Sequence, residues 1–184
     1  MKIIETTIPG LLIIEPSVYQ DERGYFFESF QKIKYRDAGI AADFVQDNES
    51  KSIRGVIRGL HYQLNPNAQA KLVRVVQGIV YDVAIDLRKG SSTFGEYYGI
   101  ELSESNKLQL FVPEGFAHGF SVLSETAIFK YKCDNYYKDD LDRAINVFDP
   151  KLNIDWKLNK NEGIVSAKDK LAPNFENAEM NFVS

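Results

Sequence analysis

VRVVQGIVYDVAIDL, Val73 to Leu87, crowds β-branched residues on both sides of a single glycine. Such side chains are stiff at χ1 and fit a pleated sheet better than a helix. After Gly78, Tyr81, Val83 and Ile85 alternate with Asp82, Ala84 and Asp86, which is the period of a strand. Gly78 between two apolar runs predicts a tight turn or a bulge. The same pattern continues outward. GEYYGIELS, LQLFVP, GFSVLS and TAIFKYKC read as strands, with KGSS, SESN and PEG as turn signals between them. Short strands at such regular spacing predict an antiparallel sandwich or barrel. Helix is sparse. FQKIKYRDAGI, Phe30 to Ile40, is the best candidate, with Gly39 as its stop. The polar tail from Lys151 onward is expected to wrap the barrel as short helices and loops.

A chain of 184 residues is long enough to bury a real core, and one domain spanning residues 1–184 is expected. No repeat, low-complexity tract or linker interrupts it. The net charge of -4 argues against a general nucleic-acid binder, which would carry a basic stripe. The single cysteine, Cys133, cannot form an internal disulfide, so a reducing compartment is expected. The apolar run in MKIIETTIPGLLIIEP is too short and interrupted for a signal peptide or membrane span. The expected location is the cytoplasm.

The chain has only two histidines, His61 in RGLHYQ and His118 in PEGFAHGF, both in strand-like segments. Metal binding and proton transfer are the competing uses. PEGFAH resembles the second motif of the cupin superfamily, a proline and glycine turn followed by a strand histidine. The first cupin motif supplies a His-x-His pair and a glutamate. Here that place reads His61-Tyr62-Gln63, so the second histidine is missing. Two histidines fall short of the three protein ligands of a typical catalytic zinc site. No metal and no other cofactor is expected. A neutral imidazole, with a reference pKa of about 6.5, can instead take a proton near neutral pH. Such a base needs an orienting carboxylate and an acid to return the proton. Tyr131 is a candidate acid, although alternation sets it on one face with Phe129 and Cys133, where it could equally be a core residue. His61 and His118 could equally be structural histidines bonded to backbone.

Strict alternation places Arg58 and His61 on opposite faces, so both line one pocket only if Gly59 sits at a bulge or the strand begins after it. Lys71 begins the next strand, where its ammonium either meets a developing negative charge or sits in solvent. Arg23, in DERGYFFESF, either contacts a phosphate or pairs with Asp21 or Glu22 in a surface turn.

Read together, DERGYFFESF, VQDNESKS, RGLHYQ, QAKLVRVVQG, AIDLRKGSSTFG, PEGFAHGFSVLS, FKYKCDNYY and VSAKDK place the chain in a known pattern. In this order it resembles the dTDP-4-dehydrorhamnose 3,5-epimerases from end to end. The resemblance implies a mainly all-β fold, a cupin-type antiparallel barrel or jelly roll with a few short peripheral helices and no catalytic metal. It implies a thymidine-diphosphate 4-ketosugar as substrate, deprotonated at carbons 3 and 5 and reprotonated on the opposite face. By position His61 matches the family's base, Asp169 its paired carboxylate, Lys71 the lysine beside the enolate oxygen, and Tyr131 the acid. The implied binding set is Arg23, Phe26, Glu28, Gln46, Asn48, Arg58, His118, Tyr137, Asp142 and Lys168, with Tyr137 in the place of the aromatic that stacks on thymine. The strand Arg23 to Glu28 is exchanged between partners in that family, which implies a homodimer. Two departures stand out: Asp142 replaces the usual glutamate, and Asn146-Val147 replaces an Arg-Trp pair. They leave open inversion of one carbon only, or another nucleotide-linked ketosugar. A cupin-like sugar-binding module without turnover is the reading from a different class. The joint presence of His61, Lys71, Tyr131 and Asp169 argues against it.

Overall fold

The structure, a computed structural model, describes residues 1–159 and 162–183. Among the described residues the chain forms thirteen strands: β1 (Lys2–Glu5), β2 (Leu12–Glu15), β3 (Tyr19–Asp21), β4 (Gly24–Phe26), β5 (Gln46–Ile53), β6 (Ile57–Gln63), β7 (Lys71–Gln77), β8 (Ile79–Asp86), β9 (Tyr97–Ser103), β10 (Gln109–Val112), β11 (Phe116–Val122), β12 (Thr126–Cys133) and β13 (Asp142–Ala144). Two sheets form, ordered β1-β2-β10-β7-β12-β5 and β13-β6-β11-β8-β9, with β3-β4 as a separate ribbon. Their strand pairs are antiparallel. This is the mainly all-β jelly-roll architecture expected of a cupin-type barrel.

Gly78 is the corner between the sheets. β7 belongs to the six-stranded sheet and β8 to the five-stranded one, so the chain must switch layers within one residue. Gly78 has φ +81°, and a Cβ there would lie 2.1 Å from the Thr126 carbonyl oxygen. Only glycine meets both demands.

The core lies in three layers. Val73, Val75, Leu110, Val112 and Phe129 of the six-stranded sheet meet Val80, Ala84, Leu102, Phe120 and Val122 of the five-stranded sheet. Burying each such side chain contributes about 1.5–3 kcal/mol. Phe120 and Phe129 stack across this layer with centroids 4.2 Å apart. The outer face of the five-stranded sheet is not left to solvent. Tyr62, Val83 and Ile85 pack there beneath Ile145, Val147, Trp156, Phe175 and Phe182 from the C-terminal wrap. Both faces of β8 are therefore buried, and its aspartates Asp82 and Asp86 are 0% exposed. The third cluster joins Ile14, Leu72 and Phe111 to Tyr35 and Ile40 around the first helix.

That helix, α1 (Lys32–Asp37), is shorter than the run Phe30 to Ile40 predicts. Gln31 caps it by accepting the Lys34 N–H at 2.7 Å, and Phe30 instead packs its ring against Tyr35 and Phe44. Gly39, at φ +89°, ends it as expected. A second helix, α2 (Ala167–Lys170), is one turn long. Among the described residues, no helix is long and apolar enough to cross a membrane.

Candidate active site

A cleft of about 470 Å³ opens between the two sheets. The five-stranded sheet contributes the histidines. β6 and β11 pair so that His61 and His118 are direct cross-strand partners. The register then slips: Phe120 pairs with Arg58, so three steps on β6 match two on β11. This is the bulge that Arg58 and His61 require to line one cleft, and both do line it. Gly59 makes it feasible, with φ +141° and a Cβ position 2.7 Å from the Gly119 Cα.

Each histidine carries a carboxylate. His61 Nε2 lies 2.7 Å from Asp169 Oδ1, with the histidine 37% and the aspartate 6% exposed at the side chain. An ionised carboxylate only accepts, so Nε2 carries the hydrogen and Nδ1 keeps the lone pair. Asp169 is set by α2, where its N–H donates to the capping Ser166 Oγ at 3.0 Å. Burial raises the Asp169 carboxyl, but the bond and charge of His61, with Ser166 and the Gly59 backbone, outweigh it and hold the group below the usual carboxylate range. The second dyad is deeper. His118 Nε2 lies 2.9 and 3.0 Å from the two oxygens of Asp82. The sequence reading missed Asp82. Its signal was a charge inside an otherwise apolar run, at a position whose face alternation alone does not decide.

The six-stranded sheet contributes Lys71 and Tyr131. Lys71 is buried and donates to the His61 carbonyl oxygen at 3.4 Å. Burial pulls its ammonium below the usual lysine range. Tyr131 pairs with Val73 on one side and Asn48 on the other, and its phenol is raised by burial, then by Cys133. A phenol so shifted is fully protonated at neutral pH. Phe129 and Cys133, on the same face, are each 1% exposed, so Tyr131 stands where the apolar core meets the cleft.

Gln46, Asn48, Arg58, His118, Tyr137 and Asp142 also line the cleft. Arg58 Nε donates to Ser52 Oγ at 3.0 Å, and Lys168 Nζ donates to Asp142 Oδ2 at 2.6 Å on the rim. Arg23, Phe26 and Glu28 are not brought to the cleft of their own chain. Arg23 pairs with Asp21, Glu28 with Lys34, and Phe26 is 70% exposed on the β3-β4 ribbon. Gln63, in the place of a cupin histidine ligand, is engaged by the backbone of Lys138. Among the described residues, no three His, Cys, Asp or Glu side chains converge as a metal's donor set.

The family model for dTDP-4-dehydrorhamnose 3,5-epimerase matches residues 5–177. The chain belongs to the dTDP-4-dehydrorhamnose 3,5-epimerase family. It is 52% identical over 180 residues to the dTDP-4-dehydrorhamnose 3,5-epimerase of Shigella flexneri, covering 97% of this chain and 98% of that one. The crystal structure of the enzyme from Elizabethkingia anophelis superposes with a TM-score of 0.92 at 52% identity, covering 96% of this chain and 97% of that one. A 3,5-epimerase from Legionella pneumophila, solved in complex with dTDP-4-keto-L-rhamnose, superposes with a TM-score of 0.90 at 51% identity over 94% of this chain and 92% of that one. Asn146 and Val147 are not among the residues that line the cleft. Asn146 Nδ2 bonds Asn174 Oδ1 at 3.1 Å, and Val147 is buried in the outer layer. Asp142 does line the cleft.

Proposed function

We propose that this chain converts dTDP-4-dehydro-6-deoxy-D-glucose to dTDP-4-dehydro-L-rhamnose by inverting carbons 3 and 5 through an enolate. One observation carries the residue roles. His61 and His118 stand on one sheet, and Lys71 and Tyr131 on the other, across a single cleft. Inversion needs a proton taken from one face of the sugar and returned to the opposite face. A base and an acid on facing sheets meet that demand.

The 4-keto group acidifies the hydrogens on carbons 3 and 5. His61 Nδ1 takes one as the carbon–hydrogen electron pair moves into an enolate, and Asp169 stabilises the resulting imidazolium. Lys71 meets the charge developing on the oxygen, in a site where burial makes that interaction strong. Tyr131 gives its proton to the opposite face. The imidazolium then releases its proton to solvent and the phenolate takes one up from solvent, which restores both groups, and the cycle repeats at the second carbon. Arg58, Gln46, Asn48, His118, Asp142 and Lys168 hold the rest of the nucleotide sugar, with Tyr137 against the base. A cleft of about 470 Å³ suits a ligand of that size. In heavy water the expected result is deuterium at both carbons 3 and 5 of the product. Label at one carbon only would identify a single-carbon epimerase, and no label a binding module.

We further propose a homodimer of one-domain chains, residues 1–184, working in the cytoplasm. The β3-β4 ribbon pairs with neither large sheet, and Tyr19, Tyr25 and Phe26 are 67%, 58% and 70% exposed on it. Exposed aromatics on a projecting ribbon suit burial against a second copy, where Arg23, Phe26 and Glu28 would complete the partner's cleft. Light scattering at micromolar concentration is expected to give twice the chain mass. A fully active monomer would overturn the shared ribbon.

A further inference from the structure

One wall of the cleft has no regular secondary structure. Between the end of β12 and the start of β13, Tyr136, Tyr137 and Lys138 belong to neither helix nor strand. Tyr137 nonetheless lines the cleft, and its hydroxyl donates to Asp139 Oδ1 at 3.1 Å. Something other than a strand ladder must keep this wall in place. Gln63 does so from β6: its Nε2 donates to the Lys138 carbonyl at 2.9 Å, and its Oε1 accepts the Lys138 N–H at 3.0 Å. Both ends of one amide grip both polar groups of one backbone residue. Lys138 O also accepts the Leu141 N–H at 3.2 Å, closing the turn that leads into Asp142. Gln63 is 4% exposed, so water does not compete for these bonds. From the facing sheet, Gln46 Oε1 accepts the Tyr137 N–H at 3.1 Å.

We propose that Gln63 is a positioning residue for the nucleotide half of the substrate, acting through the Tyr137–Lys138 wall and not through the reacting carbons. This rests on the reading of Tyr137 as the residue against the base. An amide is required, because only an amide offers a donor and an acceptor side by side. Glutamate would keep the bond to the Lys138 N–H but set a carboxylate against the Lys138 carbonyl. The amide grip is also uncharged, so neither salt nor pH near neutrality weakens it.

The test compares Gln63→Ala, Gln63→Glu, Tyr137→Ala and the double variant Gln63→Ala/Tyr137→Ala by melting curve, dTDP titration and steady-state kinetics. Losing two buried hydrogen bonds is expected to raise KM and the dTDP Kd of Gln63→Ala about tenfold or more, with kcat nearly unchanged. Gln63→Glu should lie on the same side, with the same split. The double variant should be no weaker than Tyr137→Ala alone, since groups acting through one another are not additive. A weak Tyr137→Ala beside a normal Gln63→Ala would overturn the clasp and leave the reading of Tyr137 standing. Additive losses, or a loss confined to kcat, would also overturn it. Normal dTDP binding by Tyr137→Ala would instead remove the reading on which the clasp rests, and the proposal with it.

Discussion

Replacing His61 with asparagine is expected to abolish inversion at both carbons while leaving nucleotide binding intact. Asparagine keeps a donor for Asp169 but has no lone pair basic enough to take a proton near neutral pH. The loss should reach the full reach of a positioned base, about 10²–10⁴-fold in turnover. Binding should survive because the nucleotide is held by other side chains. Lys71 should survive too, since it bonds the His61 backbone carbonyl, which the substitution does not touch. Asp169→Asn should cost less, because it disturbs the orientation and basicity of the imidazole without deleting it. The measurement is deuterium uptake from heavy water into the sugar, beside a dTDP titration. Normal uptake in His61→Asn would assign the base to another residue.

Tyr131→Phe is expected to separate exchange from inversion. His61 would still remove a proton and return it, or a deuteron from solvent, to the same face. Inversion needs the donor on the opposite sheet and should fall by about two powers of ten or more. The fold should be nearly unaffected. Among the described residues, the Tyr131 hydroxyl has no protein hydrogen-bond partner, so its removal costs less than the about 1 kcal/mol of a typical broken bond. One melting curve and one deuterium time course decide between the two readings of this tyrosine. Unaltered inversion would return it to the core.

Much of the barrel was legible because β-branched runs and glycines report local geometry directly. TAIFKYKC matches β12 residue for residue, and Gly78 and Gly39 fall where the chain turns. The edge strand β5 was not legible. Gln46 to Ile53 reads QDNESKSI, poor in every residue a sheet favours. It forms because β12 offers a ladder and complementary charge. Lys130 stands opposite Glu49 and Lys132 opposite Asp47, each pair bridged. Its inward residues Gln46, Asn48 and Ser50 are polar because they line a cleft and not a core, and buried Ser52 is polar because it accepts the Arg58 Nε–H. The site shows the same division. The bulge at Gly59 could be posed as a condition from alternation alone. The partners of the histidines could not be derived that way, since Asp169 is 108 residues from His61 and Asp82 is 36 from His118. Asp169 was reached through family resemblance, and Asp82 not at all.

The Phe120–Phe129 stack has a consequence for stereochemistry. One ring belongs to the histidine-bearing sheet and the other to the sheet of Tyr131, and both line the cleft floor. Two rings in face contact cannot approach closer than their van der Waals thickness, and packing forbids them to drift apart. They act as a gauge block that sets the gap a sugar ring must bridge. On the proposed roles of His61 and Tyr131, whether a removed proton comes back as retention or as inversion depends on a length held by two hydrocarbon rings with no chemistry of their own. Handedness in the product is, in that sense, machined into the spacing of the sandwich.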